Sequence, residues 1–175
     1  MIFVGYQGVG KSTLCRSSMY AEAFDTETCI DLESSCFWVK DGNDRVRSRN
    51  WEKVYVQMAA NISRQGFHVF MSSHTGVRSA LCDSAFDDIK KAIIFPSLEL
   101  KDEWLERLKQ RFDETKLTKD EAAYMNAKTI YEKNIQALMG EDQKIFDLIK
   151  INQIPYSLFD IINEYLLSIQ SGRPL

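Results

Sequence analysis

One eight-residue string constrains this chain more than any other. Gly5-Tyr6-Gln7-Gly8-Val9-Gly10-Lys11-Ser12 satisfies the pattern G-x-x-x-x-G-K-[ST] in full. Glycines let a backbone curl until several N–H groups point inward. A helix that begins at Lys11 adds its unpaired first-turn N–H groups and the positive end of its dipole. The lysine reaches the outer phosphates of a triphosphate, and the hydroxyl beside it reaches the divalent ion those phosphates carry. The string lies between an apolar run, Ile2 to Val4, and a helical pattern from Lys11 to about Phe24, the strand–loop–helix setting such a loop requires. Gly5, Gly8, Val9, Gly10, Lys11, Ser12 and Thr13 are therefore the candidate phosphate-binding residues. Lys11 is the catalytic candidate among them, and Ser12 the metal-ligand candidate.

The rest of the chain alternates short apolar runs with helical patterns. Thr28–Leu32 reads as a second strand, and the polar residues 41–50 as an exposed loop. Trp51, Val54, Tyr55, Met58, Ala59 and Ile62 follow helical spacing, closed by Gly66. Phe67–Met71 reads as a strand, Val77 to about Asp88 as a short helix, and Ala92–Phe95 as a strand stopped by Pro96. Leu100, Trp104, Leu105, Leu108 and Phe112 predict an amphipathic helix, Glu121–Met139 a longer one, Leu148–Ile154 a last strand and Leu158–Ile169 a terminal helix. Such alternation predicts a parallel sheet covered on both faces, with ligands at the carboxyl ends of its strands.

Composition narrows the function classes. A length of 175 residues predicts one compact domain over 1–175. Charged residues make up 27% against 45% hydrophobic, which excludes wholesale disorder. A net charge of −3 lacks the basic surplus of a dedicated polyanion binder, so nucleic acid is not expected as a partner. Cys15, Cys29, Cys36 and Cys82 form no CxxC pair, which argues against structural zinc and for reduced thiols. No basic leader and no run of the roughly 20 apolar residues that cross a bilayer is present, so a cytoplasmic protein without a membrane partner is expected.

Two classes of triphosphate-binding protein are disfavoured. The GTPase strings D-x-x-G and N-K-x-D are absent, the nearest being Thr118-Lys119-Asp120-Glu121. A mechanical ATPase needs an acid at the end of a later core strand, but those runs end Phe70-Met71-Ser72-Ser73-His74 and Phe95-Pro96-Ser97. The acids stand after the second strand instead, in Ile30-Asp31-Leu32-Glu33. With the loop at the N-terminus, this acidic pair and an arginine-bearing helix after the fourth predicted strand, the layout resembles the small P-loop kinases. These are the nucleoside monophosphate kinases and their shikimate and gluconate kinase cousins; within them the chain is most similar to compact phage-encoded (deoxy)nucleotide kinases.

The resemblance implies a three-layer P-loop fold with a five-stranded parallel sheet in the order 2-3-1-4-5, an acceptor-binding segment at about 34–65 and a short helical lid at about 98–120. It implies ATP and Mg²⁺ as cofactors. Asp31 would support the metal and the acceptor, with Glu33 beside it, although both acids also suit a solvated strand end. Arg107 and Arg111, four apart on one helix face, would clamp the transferring group, although with Glu103 they also form an ordinary i, i+4 ion-pair ladder.

Candidates for the acceptor phosphate are Arg45, Arg47, Arg49 and Arg78, because a guanidinium fork gives two parallel hydrogen bonds. Arg78 stands just beyond a core strand; the loop arginines equally suit a solvated charged loop. Phe37 and Trp38 are candidates to stack on a nucleobase, whereas Trp51 and Tyr55 fit a core helix better. His74 suits either a hydrogen bond to the acceptor or a structural role. Tyr6 packs against substrate or a neighbouring helix, and Cys15 reads as core.

The expected activity is Mg-ATP-dependent phosphoryl transfer to a nucleoside or deoxynucleoside monophosphate, giving the diphosphate, by a monomer or homodimer in a bacterial or phage-infected cytoplasm. A kinase of a small hydroxyl metabolite and a nucleotide-binding regulator with little turnover remain as alternatives.

Overall fold

The computed structural model describes residues 1–16, 29–42 and 44–172, without the side chain of Arg45. β1 (Ile2–Gly5) runs into the glycine loop and α1 (Lys11–Cys15). The rest of the first predicted helix lies outside the described residues. β2 (Cys29–Asp31) is followed by a 3₁₀ turn over Ser34–Phe37. β3 (Trp38–Asp41) and β4 (Asp44–Arg47) come next, then α2 (Trp51–Arg64), β5 (His68–Ser72) and α3 (Thr75–Leu81). β6 (Lys91–Pro96), α4 (Lys101–Thr115), α5 (Thr118–Met139), β7 (Asp147–Ile151) and α6 (Leu158–Ser171) complete the chain.

Five strands form one sheet in the order β2-β5-β1-β6-β7, and every pairing in it is parallel. The order differs from the expected 2-3-1-4-5 by two strands that the expectation did not contain. β3 and β4 stand outside this sheet as an antiparallel hairpin inserted between β2 and β5. Residues 41–50 are therefore not a plain loop. Their alternation is short and polar, and Val39 opposite Val46 is the only apolar cross-strand pair, so hydrophobic periodicity hid the ribbon.

The central strands β1 and β6 are buried along their whole length, as strands covered on both faces must be. Helices flank this sheet. α2 delivers Trp51, Tyr55, Val56, Ala59 and Ala60 into the core, and α6 delivers Ile162 and Tyr165. The Tyr165 ring meets Phe3 edge-on, and Phe3 stacks on Phe70 of the next strand at 4.9 Å between centroids. α4 and α5, joined by a two-residue turn, pack on each other across the segment expected to form the lid. Among the described residues no helix is long and apolar enough to cross a membrane.

Candidate functional site

The glycine loop is shaped by what its glycines permit. Gly8 and Gly10 adopt φ of +87° and +94°, a region costly for other residues. A Cβ on Gly5 would lie 2.8 Å from both Lys11 Cδ and Val9 Cγ2, so the lysine can fold back only over a glycine. It does so: Lys11 Nζ donates to the carbonyl of Gly5 at 3.1 Å and of Tyr6 at 3.5 Å. The loop is pinned from two sides. Tyr6 N donates to Ile94 O in β6, and the Trp104 indole of α4 donates to Gln7 O at 3.0 Å. Burial holds the Lys11 ammonium below the ordinary lysine range, and Asp31 and Glu33 oppose that shift.

The Ser12 hydroxyl donates to the carboxylate of Asp31 at the carboxyl end of β2. Glu33, two residues on, meets Lys119 at the start of α5 at 3.5 Å. Ser12 and Asp31 are hard oxygen donors already in contact. That suits Mg²⁺, which keeps several waters and takes one or two protein oxygens plus phosphate oxygens. Among the described residues no three His, Cys, Asp or Glu side chains converge into an all-protein metal cage, which a site of this type does not need.

A cavity of about 500 Å³ opens at the carboxyl ends of β1 and β5. Gly5, Tyr6, Gln7 and Lys11 line it, and so do Trp38, Arg47, His74 and Arg78. Two other hollows, about 650 and 700 Å³, are larger, but no residue of the loop lines either. The Arg47 guanidinium lies 4.4 Å from the ring centroids of both Trp38 and Trp51 and donates to the Ser34 carbonyl and hydroxyl. It thereby fastens the hairpin to the start of α2. Tyr55 does similar work beneath: its hydroxyl donates to Leu32 O and accepts from Ser72 N, and burial pushes it up to about 12. His74 stands edge-on to Trp51 at 5.4 Å. Although the residue is exposed overall, crowding of its ring and then the Arg47 charge hold it below the ordinary histidine value.

Lys11, Glu33, Trp38, His74 and Arg78 thus converge on one cavity, and Asp31 sits behind it on Ser12. Arg78 is only 4% exposed and already engaged, its Nε 2.5 Å from Glu141 and its Nη1 donating to Ser73 O. Phe37 does not line the cavity; it packs against Trp51 and Tyr55. Arg107 and Arg111 do not line it either. Arg107 lies over the rings of Tyr156 and Trp104, with Nη2 4.0 Å from where a Cβ on Gly10 would stand. Arg111 pairs with buried Asp120 at 2.8 Å rather than with Glu103, and its Nε is buried without a hydrogen-bond partner. The side chain of Arg45 lies outside the described residues, and Arg49 is exposed beyond the hairpin.

Sequence reasoning missed several lining residues. Lys119, Asn126 and Asn134 come from α5. Gln7 Nε2 reaches Ala123 O at 2.9 Å and Asn126 Oδ1 at 3.3 Å, tying the loop to that helix. Two amides eight residues apart share a helix face, which was the available signal.

No protein-family model and no curated protein matches this chain. Among solved structures it is similar to the crystal structure of an uncharacterized protein from Eubacterium ventriosum ATCC 27560, with a TM-score of 0.48 and 13% identity over 98% of each chain.

Proposed function

We propose that this chain is a Mg²⁺- and ATP-dependent kinase that transfers the γ-phosphoryl group to the phosphate of a nucleoside or deoxynucleoside monophosphate. One observation carries the reading. Lys11 and residues Gly5–Gln7 line the same cavity as Arg47, Arg78 and Trp38, so the groups suited to a donor and to an acceptor share one space of about 500 Å³.

In this reading the curled loop and the Lys11 ammonium hold the donor's outer phosphates, exchanging the Gly5 and Tyr6 carbonyls for phosphate oxygens. Ser12 and Asp31 would hold Mg²⁺, which when bound would neutralise phosphate charge. Arg47 and Arg78 supply positive charge at the acceptor phosphate, and Trp38 offers an aromatic face to a base. Arg111 stands close enough to Lys11 for its charge to be felt there, which adds positive potential near the donor phosphates. The acceptor phosphate oxygen attacks directly, so no protein nucleophile is required.

His74 favours a second reading, a kinase of a hydroxyl acceptor. Its neutral ring lines the cavity and can take a hydroxyl proton, whereas Asp31 is engaged by Ser12. ADP release from Mg·ATP across ribo- and deoxyribonucleoside monophosphates, with shikimate and gluconate alongside, separates the two. Stimulation by one or two monophosphates is expected, and Lys11→Ala should lose both ATP binding and turnover while staying folded. Stimulation by a non-phosphorylated alcohol alone moves the assignment to the second reading. Silence throughout, with ATP still bound, leaves a nucleotide-binding regulator.

A further inference from the structure

Two cysteines stand on the two elements that carry the Ser12–Asp31 contact. Cys15 follows Ser12 by three residues on α1, so the two side chains leave neighbouring points of one helix face. Cys29 precedes Asp31 by two residues on β2, so these two side chains leave the same side of the strand. The Ser12–Asp31 hydrogen bond establishes that this helix face and this strand side meet. Cys15 and Cys29 accordingly face each other about one helical turn from that bond, with their thiols within reach of each other. Both are free, Cys29 buried and Cys15 half-buried. The other two cysteines are exposed and turn to backbone carbonyls, Cys36 to Glu33 O and Cys82 to Arg78 O, each at 3.3 Å.

We infer that Cys15 and Cys29 form a redox-modification site that closes to an intramolecular disulfide under a two-electron oxidant of the peroxide class. The thiolate is the nucleophile, and the chemistry balances in the same way whichever sulfur of the pair begins, Cys29 for instance. That sulfur attacks a peroxide oxygen, the O–O bond breaks, and a sulfenic acid and one water form, the water taking the thiol proton. The Cys15 sulfur then attacks the sulfenic sulfur. The S–S bond forms, and the hydroxyl leaves as a second water with the Cys15 proton. Two thiols and one hydrogen peroxide thus give one disulfide and two waters, and a dithiol reverses the change. The bond would join α1 to β2 beside the two oxygen donors of the loop, whatever reaction those donors serve.

The test needs no activity. Trypsin cuts after Lys11, Arg16 and Lys40, which leaves Cys15 in peptide 12–16 and Cys29 with Cys36 in peptide 17–40. A Cys36→Ser chain removes that ambiguity. After treatment with hydrogen peroxide and alkylation of the remaining thiols, the 12–16 and 17–40 peptides of this variant should appear joined, two hydrogens lighter, and separate on dithiothreitol. The untreated wild type should titrate four thiols and the oxidised one two. Retention of all four thiols in folded protein, or a cross-link that runs to Cys82, overturns the proposal. Cys29→Ser, checked for native circular dichroism, should yield no 12–16 cross-link; one appearing there overturns it equally.

Discussion

The hydroxyl of Ser12 donates to the carboxylate of Asp31, tying the end of the glycine loop to the carboxyl end of β2. The two residues are nineteen apart in sequence, and a parallel sheet with a helix packed on it is what brings them together. A serine beside the loop lysine and an acid after the second strand are separately common. Their direct contact turns two weak signals into one oxygen-donor pair.

Replacing Asp31 with Asn keeps the side-chain shape and removes the charge. If the pair supports Mg²⁺, affinity for Mg·ATP should fall about 10–100-fold, while affinity for ATP in EDTA should barely change. Calorimetric titration of both forms decides it. An equal loss in both arms would show that Asp31 acts through the loop's shape rather than through the ion.

Gly8 and Gly42 separate strain from crowding. Both have positive φ, +87° and +61°, but a Cβ on Gly8 would lie 2.8 Å from Leu108 Cδ2, and on Gly42 it would meet nothing within 4 Å. Gly42→Ala should lower stability by about 1 kcal/mol, the backbone cost alone. Gly8→Ala should lower it by roughly 2–4 kcal/mol, because α4 must also give way. Urea midpoints of the two variants should therefore differ, Gly8→Ala being the weaker.

Arg78 and Glu141 form a pair whose side chains are 5% and 20% exposed. Removing one member of so enclosed a pair leaves a charge without its partner, at a cost of about 3–5 kcal/mol. Arg78→Met and Glu141→Gln should each approach that figure, and the double variant should cost clearly less than their sum. Additive losses in a double-mutant cycle would mean that the contact carries no coupling.

Stability should be lost between pH 6.5 and 4 on account of His68. Burial, and to a lesser degree the Met1 ammonium, lower its value from 6.5 to about 4. In that window the unfolded chain takes a proton that the folded chain refuses, so stability falls as pH falls and levels off below about 4. Discounted for partial exposure, the loss is about 1–2 kcal/mol, or roughly 3–6 °C in Tm. A pH series of melting curves on wild type and His68→Gln checks this; the variant should lose that part of the slope.

Local patterns were legible where one residue type dictates one shape. The loop and the start of α1 follow from Gly5 to Ser12, and α2, α4, α5 and α6 follow from the spacing of their apolar residues. Contacts made across the chain were not. Arg78 finds Glu141 sixty-three residues away, and Arg111 finds Asp120 across a helix break instead of Glu103 on its own helix. The choice of Arg47 for the cavity wall depended on a hairpin register that pairs it with Trp38, and the ribbon's polarity concealed that register. Phe37 was misplaced for a related reason, since the 3₁₀ turn directs it inward against Tyr55.

Arg47 lies over two indoles and gives both of its amino groups to Ser34. Arg47 is therefore a bolt between the hairpin and the body, and it stands between two natural fluorophores. Trp38 is 41% exposed at the cavity wall, while Trp51 is buried behind it. Filling the cavity should change the surroundings of the first indole more than those of the second. If the cavity takes the nucleotides proposed above, Trp38 emission should report its occupancy without a label.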